Sequence, residues 1–183
     1  MAERFRIAVV GVGRIGAFHA RHVQELASER GDCALTAVVD GYGYLAAEVA
    51  AQLQAGQETA IGVFKDVEEL VAADAADGVF IASRTENHFR EAQTLIDEGW
   101  RVLMEKPLTH SLATAREFAA YLDADDFRRT ALMQAFMRRF DAPLLRAKAL
   151  LERGAIGTPF KIVSILEDPV PPPEGYNLSL IHI

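Results

Sequence analysis

The sequence predicts a doubly wound α/β fold, in which helices cover both faces of a parallel sheet. Three observations support this prediction. Short apolar runs alternate with helical segments over residues 1–136, a glycine-rich turn follows the first run, and polar or charged residues follow the later runs. Parallel strands need crossover connections, usually helices, so this alternation is typical of a parallel sheet.

Six apolar runs are the predicted strands. The first, Phe5 to Val10, is nearly continuous in apolar residues, which is the pattern of a strand buried on both faces. The later runs are equally short, as expected for strands of one small sheet. The predicted strands span residues 5–10, 34–39, 61–64, 77–82, 101–104 and 130–136.

Helical segments separate the predicted strands, at residues 14–28, 44–55, 67–73, 86–98 and 111–122. Two of these helices have clear N-cap residues, Asp66 and Ser111, and Glu69 stands at the capping-box position after Asp66. In the first helix, the larger residues fall near one face: Ile15, Phe18, His22, Val23 and Leu26.

The character of the sequence changes after the sixth predicted strand. Residues 142–153 are predicted to be helical and residues 160–166 to form a strand, and four prolines follow within Pro169 to Pro173. We expect residues 1–136 to form one domain and residues 137–177 to begin a second, α+β domain. A segment this short can hardly bury an adequate core by itself.

Composition excludes several classes of protein. The chain has 183 residues and a net charge of -7, which argues against nucleic acid as a partner. A single cysteine, Cys33, excludes an internal disulfide and a Cys-rich zinc site, and no metal site is predicted. We find neither a signal-peptide core nor an apolar run of membrane-spanning length, so we expect a cytoplasmic protein without a membrane partner.

The glycine turn predicts dinucleotide binding. Gly11, Gly13 and Gly16 have the G-x-G-x-x-G spacing, and the turn, which includes Arg14 and Ile15, lies between a predicted strand and a predicted helix. The first glycine allows the tight turn, the second admits the pyrophosphate and the third lets the helix pack on the strand. The alternative is a purely structural turn.

Asp40 follows the second predicted strand, where an acidic side chain meets the adenine ribose of a bound dinucleotide. A carboxylate there accepts hydrogen bonds from both ribose hydroxyls and repels a 2′-phosphate. Asp40 therefore favours NAD over NADP. The alternative is a solvated turn aspartate before Gly41.

The loop after the fourth predicted strand should face the nicotinamide half of the cofactor, because ligands bind beyond the carboxyl ends of parallel strands. Ser83, Thr85, Asn87 and His88 are its candidate cofactor residues. For His88 the alternative is a structural histidine in the first turn of a helix.

Glu105-Lys106-Pro107 follows the fifth predicted strand and should lie at the same edge of the sheet. Lys106 could polarise a substrate hydroxyl or carbonyl and orient the nicotinamide ribose. Glu105 could hold the lysine, and Pro107 could fix the backbone through a cis bond. The alternative is a charged pair on the surface before a turn.

These motifs, in this order, resemble the Gfo/Idh/MocA oxidoreductase family. Arg138-Arg139-Phe140-Asp141, Ile156 to Pro159 and the Asp168-to-Tyr176 segment add to the resemblance, which is greatest to the inositol 2-dehydrogenase branch. It implies that residues 1–136 form an NAD(P)-binding Rossmann domain and that residues 137–177 begin a domain for substrate binding and oligomerisation. It also implies hydride transfer from a sugar or cyclitol hydroxyl to NAD(P), with Lys106 as the catalytic residue. The implied cofactor-binding set is Gly11, Gly13, Arg14, Ile15, Gly16, Asp40, Ser83, Thr85, Asn87, His88, Glu105, Lys106, Pro107 and Arg138.

The chain departs from the family pattern in ways that bear on substrate and completeness. Met137 stands where Asn is usual, and Glu167 where Arg is frequent. The family's aspartate and histidine, which follow the proline run in a Gly-Gly-rich segment, have no counterpart. We therefore expect a C-terminally truncated, inactive fragment of a homo-oligomeric dehydrogenase. The alternative is a non-catalytic dinucleotide-binding or sensor module.

The last six residues suggest how the truncation arose. Leu178 to Ile183 resembles the translation of an adapter used in sequencing libraries. We hypothesise that the gene sequence was interrupted near Asn177 and that this tail is not native. The alternative is a genuine apolar C terminus.

Overall fold

A six-stranded parallel sheet forms the centre of the fold in the computed structural model, which describes residues 4–55 and 59–165. Its strands are β1 (Phe5–Val10), β2 (Cys33–Val39), β3 (Gly62–Phe64), β4 (Gly78–Ile81), β5 (Arg101–Met104) and β6 (Leu132–Gln134). Their order is β3-β2-β1-β4-β5-β6, and every pairing is parallel. The predicted doubly wound parallel sheet is confirmed.

Helices connect the strands: α1 (Arg14–Arg30), α2 (Gly43–Gln54), α3 (Val67–Ala72), α4 (His88–Asp97), α5 (Leu112–Leu122) and α6 (Asp126–Ala131). A 3₁₀ turn (Met137–Phe140) and α7 (Ala142–Glu152) follow β6. The chain divides into two compact units, Met1–Ala135 and Phe136–Ile183, each of which is described by itself.

The first unit has two hydrophobic cores, one on each face of the sheet. On one face, α1 and α2 pack against the sheet through Ala20, Val23, Ala46, Ala50 and Leu53. On the other face, α3, α4 and α5 contribute Leu70, Leu95, Ile96 and Phe118. The handedness of the crossovers produces this division, because the chain reverses its direction across the sheet after β3.

The buried face of α1 differs from the predicted one. Its buried residues are Gly16, Ala20 and Val23, whereas Ile15 and Phe18 are 43% and 49% exposed. The helix lies so close to the glycine turn that a Cβ on Gly16 would stand 1.7 Å from the carbonyl oxygen of Gly11. Close packing therefore requires small residues, Gly16 and Ala20, on the buried face of the first two turns.

Both predicted N-caps are present. The Asp66 carboxylate accepts from the backbone N–H of Glu69 at 2.9 Å, and the Ser111 hydroxyl oxygen accepts from Thr114 N–H at 3.2 Å. A third cap, Asp125, begins the short helix α6, which the sequence analysis missed. Because α6 extends to Ala131, β6 begins at Leu132 and is shorter than predicted.

The predicted strand at 160–166 is wrong over residues 160–165, which carry no regular secondary structure. Phe160, Ile162 and Ile165 are 99%, 76% and 78% exposed. An alternating apolar pattern forms a strand only when a neighbouring strand and a core receive it, and residues 160–165 pair with no strand of the described chain. Residue 166, the proline run and the tail lie outside the described residues.

An apolar groove of about 420 Å³ lies on the α1 face of the sheet. It is bounded by α1 and floored by β4, β5 and β6, with Leu26 and Met133 partly exposed in it. No helix in residues 4–55 or 59–135 covers this half of the face, because the crossover helices α4 and α5 lie on the opposite side.

Candidate dinucleotide and catalytic site

The carboxyl ends of the central strands are level with one another. Val10 is aligned with Val39 on one side and with Ile81 on the other, and Ile81 is aligned with Met104. The segments that follow these residues therefore leave the sheet at one edge. They are the glycine turn, Asp40, the Ser83 loop and Glu105-Lys106-Pro107. The chain reverses direction across the sheet between β1 and β4, which is where open α/β sheets bind ligands.

An added Cβ would meet different surroundings at each glycine of the turn. Gly11 has a φ of +79°, and a Cβ there would lie 2.3 Å from the Cα of Ser83. Gly16 is packed on the Gly11 carbonyl oxygen, as described above. An added Cβ on Gly13 would meet nothing within 4 Å, so the chain leaves open space beside this residue. The predicted division of roles among the three glycines is consistent with this geometry.

The first turn of α1 faces that open space. Its first helical bond runs from Ala17 N–H to the Gly13 carbonyl oxygen at 2.9 Å. The N–H groups of Arg14, Ile15 and Gly16 precede this bond and are the ones that a helix leaves without an intrahelical acceptor. Such groups, together with the helix dipole, bind anions, so the residues present fit the pyrophosphate of a dinucleotide.

A cleft of about 480 Å³ extends from the glycine turn along the ends of β2 and β3. Five predicted cofactor residues line it, namely Gly11, Gly13, Asp40, Ser83 and Asn87. Lining residues that the sequence analysis missed include Tyr42, Lys65, Arg84, Arg90 and Glu91. Lys65 follows β3 just as Asp40 follows β2, so the strand-end rule would have found it.

Asp40 is fixed by the glycine turn. Its Oδ2 accepts from Val12 N–H at 3.0 Å, and its Oδ1 accepts from Tyr42 N–H at 2.9 Å. Its own N–H donates to the Phe64 carbonyl oxygen at 3.1 Å. Each carboxylate oxygen can accept more than one hydrogen bond, so both can still receive ribose hydroxyls. The carboxylate is therefore held in place rather than extended freely into solvent.

Ser83 and Glu91, which both line the cleft, form a polar contact in its wall. The Ser83 hydroxyl donates to the Glu91 carboxylate, which is buried on α4. Burial raises the pKa of Glu91, and the bond from Ser83 opposes this shift. Thr85 and Asn87 are half-buried in the turn that leads into α4.

His88 connects two loops of the site. It is 1% exposed, and its Nδ1 and Nε2 lie 2.9 Å from the Pro107 carbonyl oxygen and 3.2 Å from the Ser83 carbonyl oxygen. Burial lowers the pKa of His88, which favours the neutral ring, and a neutral ring donates to only one acceptor. The structure places His88 beneath the cleft instead of in its lining, and a contact with cofactor stays a prediction.

Glu105 holds the neighbouring lysine through the backbone. Its Oε2 accepts from Lys106 N–H at 3.1 Å, and its Oε1 accepts from His19 Nε2 at 3.0 Å. The Lys106 side chain is exposed, and the Lys106–Pro107 peptide bond is cis. His19 was not among the predicted site residues.

Arg138 belongs to the second unit, where its guanidinium pairs with Asp141 at 3.0 Å. Its contact with cofactor stays a prediction from the resemblance. Across residues 4–55 and 59–165, no group of three His, Cys, Asp or Glu side chains could hold a metal ion. Within the same ranges, every helix is too short or too polar to cross a membrane.

Comparison with known proteins identifies a family. Residues 5–129 match the family model described as "Oxidoreductase family, NAD-binding Rossmann fold" (Gfo/Idh/MocA). An inositol 2-dehydrogenase of Rhodococcus erythropolis is 31% identical over 98% of this chain and 49% of its own length. A myo-inositol 2-dehydrogenase of Thermotoga maritima is 32% identical over 93% of this chain and 48% of its own length. The chain spans about half the length of these curated relatives.

Solved structures of similar proteins share the fold. A scyllo-inositol dehydrogenase from Lactobacillus casei, with bound NAD(H) and scyllo-inositol, matches with a TM-score of 0.72 and 24% identity, over 85% of this chain and 43% of the other. A myo-inositol dehydrogenase from Corynebacterium glutamicum matches with a TM-score of 0.73 and 25% identity, over the same shares. With its glycine turn, its strand order and the family match over residues 5–129, the chain belongs to the Gfo/Idh/MocA oxidoreductases with an NAD-binding Rossmann fold.

Proposed function

We propose that this chain is the cofactor-binding part of an NAD-dependent dehydrogenase that oxidises a cyclitol or sugar hydroxyl. The observation that carries the proposal is the hydrogen bond between Asp40 and Val12 N–H. It joins the carboxylate that would bind the ribose to the turn that would bind the pyrophosphate. The inositol dehydrogenases among the relatives support an inositol-like substrate.

Asp40 supports NAD rather than NADP as the cofactor. Its two oxygens lie at the end of β2 and are fixed by two backbone N–H groups. A 2′-phosphate at this position would bring negative charge against a carboxylate that cannot turn away without losing both bonds. Lys65, Arg84 and Arg90 line the same cleft, so the balance between these cations and Asp40 determines how strongly NADP is disfavoured.

Lys106 is the proposed catalytic residue of this chain. Bound NAD would supply the hydride acceptor, and Lys106 would hydrogen-bond the reacting hydroxyl and stabilise the negative charge that develops on its oxygen. Hydride transfer also requires a group that accepts the hydroxyl proton. We expect that group to come from the part of the protein that the longer relatives possess, and we expect turnover only from the longer protein.

The test has two arms. Isothermal titration of the 183-residue chain should show NAD binding that is clearly tighter than NADP binding. In the full-length gene product, Lys106→Ala should reduce turnover of myo-inositol by about 100-fold or more, as for loss of an acid–base or polarising group, while the NAD dissociation constant stays nearly unchanged.

Lys148→Ala is the matched control, because Lys148 is an exposed lysine paired with Glu152 on α7. Equal turnover of the Lys106→Ala variant and the wild type would remove Lys106 from the mechanism. NAD binding without oxidation of any polyol by the full-length protein would favour a non-catalytic dinucleotide-binding or sensor module.

A further inference from the structure

His19 lies in the second turn of α1, three residues after Gly16, and is partly buried. Its ring stacks on Phe80 of β4, with the ring centroids 3.7 Å apart and the planes inclined by 24°. Its Nε2 donates to Glu105 Oε1 at 3.0 Å. The side chain therefore spans from the helix, across β4, to the end of β5.

Glu105 connects His19 to the lysine. Its second oxygen accepts from Lys106 N–H, while its own N–H donates to the Ile81 carbonyl oxygen at 2.8 Å and continues the sheet. The side chain is 13% exposed, so the bond to His19 is largely sheltered from water. One carboxylate thus joins a helix to the backbone of the residue that carries the proposed chemistry.

The first turn of the same helix is fixed by the glycine turn. Gly16 packs on the Gly11 carbonyl oxygen, and Gly11 packs on the backbone of Ser83. The helix N-terminus, which would receive the pyrophosphate, and His19, which contacts Glu105, are therefore parts of one rigid element. Helix α1 would therefore set the positions of both the cofactor and the Lys106 backbone.

We propose that His19 is a positioning residue, which holds Glu105 so that Lys106 is presented at a fixed distance from the dinucleotide. This inference rests on the proposed function, because it concerns the geometry of the same site. The competing explanation is that His19 only fills space against Phe80.

Two substitutions separate these explanations. His19→Phe keeps an aromatic ring against Phe80 but has no donor for Glu105. His19→Gln keeps an N–H donor at a comparable reach but loses the ring. If His19 positions Glu105, the Gln variant resembles the wild type and the Phe variant does not. If His19 only packs, the order is reversed.

The first readout is amide hydrogen exchange in the 183-residue chain, measured by NMR. His19→Phe should raise the exchange rate of the Lys106 amide about fivefold, the effect of weakening one hydrogen bond, and His19→Gln should leave it near the wild-type rate. The Glu105 amide, bonded within the sheet, should not change. The control His22→Phe alters the next turn of the same helix. His22 is exposed, and its ring centroid lies 6.3 Å from the ring centroid of His19.

An unchanged Lys106 rate in His19→Phe would overturn the proposal, and so would an equal rise at Glu105, which indicates general loosening. The second readout is kinetic. In the full-length protein His19→Phe should lower kcat about tenfold, a misplacement effect, with the NAD dissociation constant unchanged and with recovery in His19→Gln. If the wild type oxidises no polyol, the proposed function fails, while the exchange rates still decide the role of His19.

Discussion

Gly16→Ala is the substitution whose effect follows most directly from the structure. The new Cβ would lie 1.7 Å from the Gly11 carbonyl oxygen, whereas ordinary contact begins at 3.4 Å. Helix and turn must therefore move apart by about 1.7 Å, the difference between these distances. Overpacking of this kind costs about 1–3 kcal/mol, and a loss of about 2 kcal/mol corresponds to a fall in Tm of roughly 4–8 °C for a unit of this size.

The matched control is Gly13→Ala, in the same turn. Gly13 has φ -60° and ψ -168°, which alanine adopts, and its Cβ would meet nothing within 4 Å. Its Tm should stay within about 2 °C of the wild type, but the methyl group enters the space proposed for the pyrophosphate. A clash of about 1–3 kcal/mol there weakens NAD binding by roughly 5- to 150-fold.

Differential scanning calorimetry and NAD titration of both variants test this reasoning together. Gly16→Ala should lower the Tm and, because the turn is displaced, the affinity for NAD as well. Gly13→Ala should lose NAD affinity alone. If Gly16→Ala melts at the wild-type temperature, the helix is not packed on the turn as described. If Gly13→Ala binds NAD normally, the open space beside Gly13 is not the pyrophosphate site.

Three further predictions concern other parts of the first unit. Asp40→Ala should weaken NAD binding about tenfold, as for lost hydrogen bonds to a charged acceptor, and bring NAD and NADP affinities together in parallel titrations; a retained preference for NAD would exclude Asp40 as the selective group. Hydrogen bonds from Arg6 hold the pKa of Asp77 below its usual value, so its contribution to stability is present above about pH 4 and is lost as pH falls through the lowered pKa. Urea midpoints should therefore fall less steeply below about pH 4 in Asp77→Asn than in the wild type, and parallel curves would contradict this assignment. The apolar groove should bind a hydrophobic dye, and Met133→Lys should reduce its fluorescence, since Met133 is 47% exposed there.

Local pattern was sufficient to predict the sheet and the edge at which the candidate site lies. Strand runs and glycine positions are short-range signals, and parallel strands bring their carboxyl ends to one edge by geometry alone. Asp40 and Glu105 could be placed on that basis. A cis bond before Pro107 was one possibility that the residue type offered, and the Lys106–Pro107 bond is cis.

Long-range contacts could not be predicted in this way. His19 and Glu105 are 86 residues apart in sequence, and no periodicity connects them. The position of His88 in the loop suggested a contact with the cofactor. In the structure its ring is buried between two carbonyl oxygens, and these contacts were not apparent from the sequence. The predicted strand over residues 160–165 failed for a related reason, since strand formation depends on a partner that the local sequence does not specify.

The steric contacts of the glycine turn also bear on the thermodynamics of ligand binding. Gly11 against Ser83, and Gly16 against Gly11, fix the turn through contacts within the chain. The conformational entropy of ordering the turn is therefore lost when the protein folds and not when a ligand arrives. A dinucleotide would meet a turn that is already ordered, so its binding should carry only a small entropic penalty from the protein backbone.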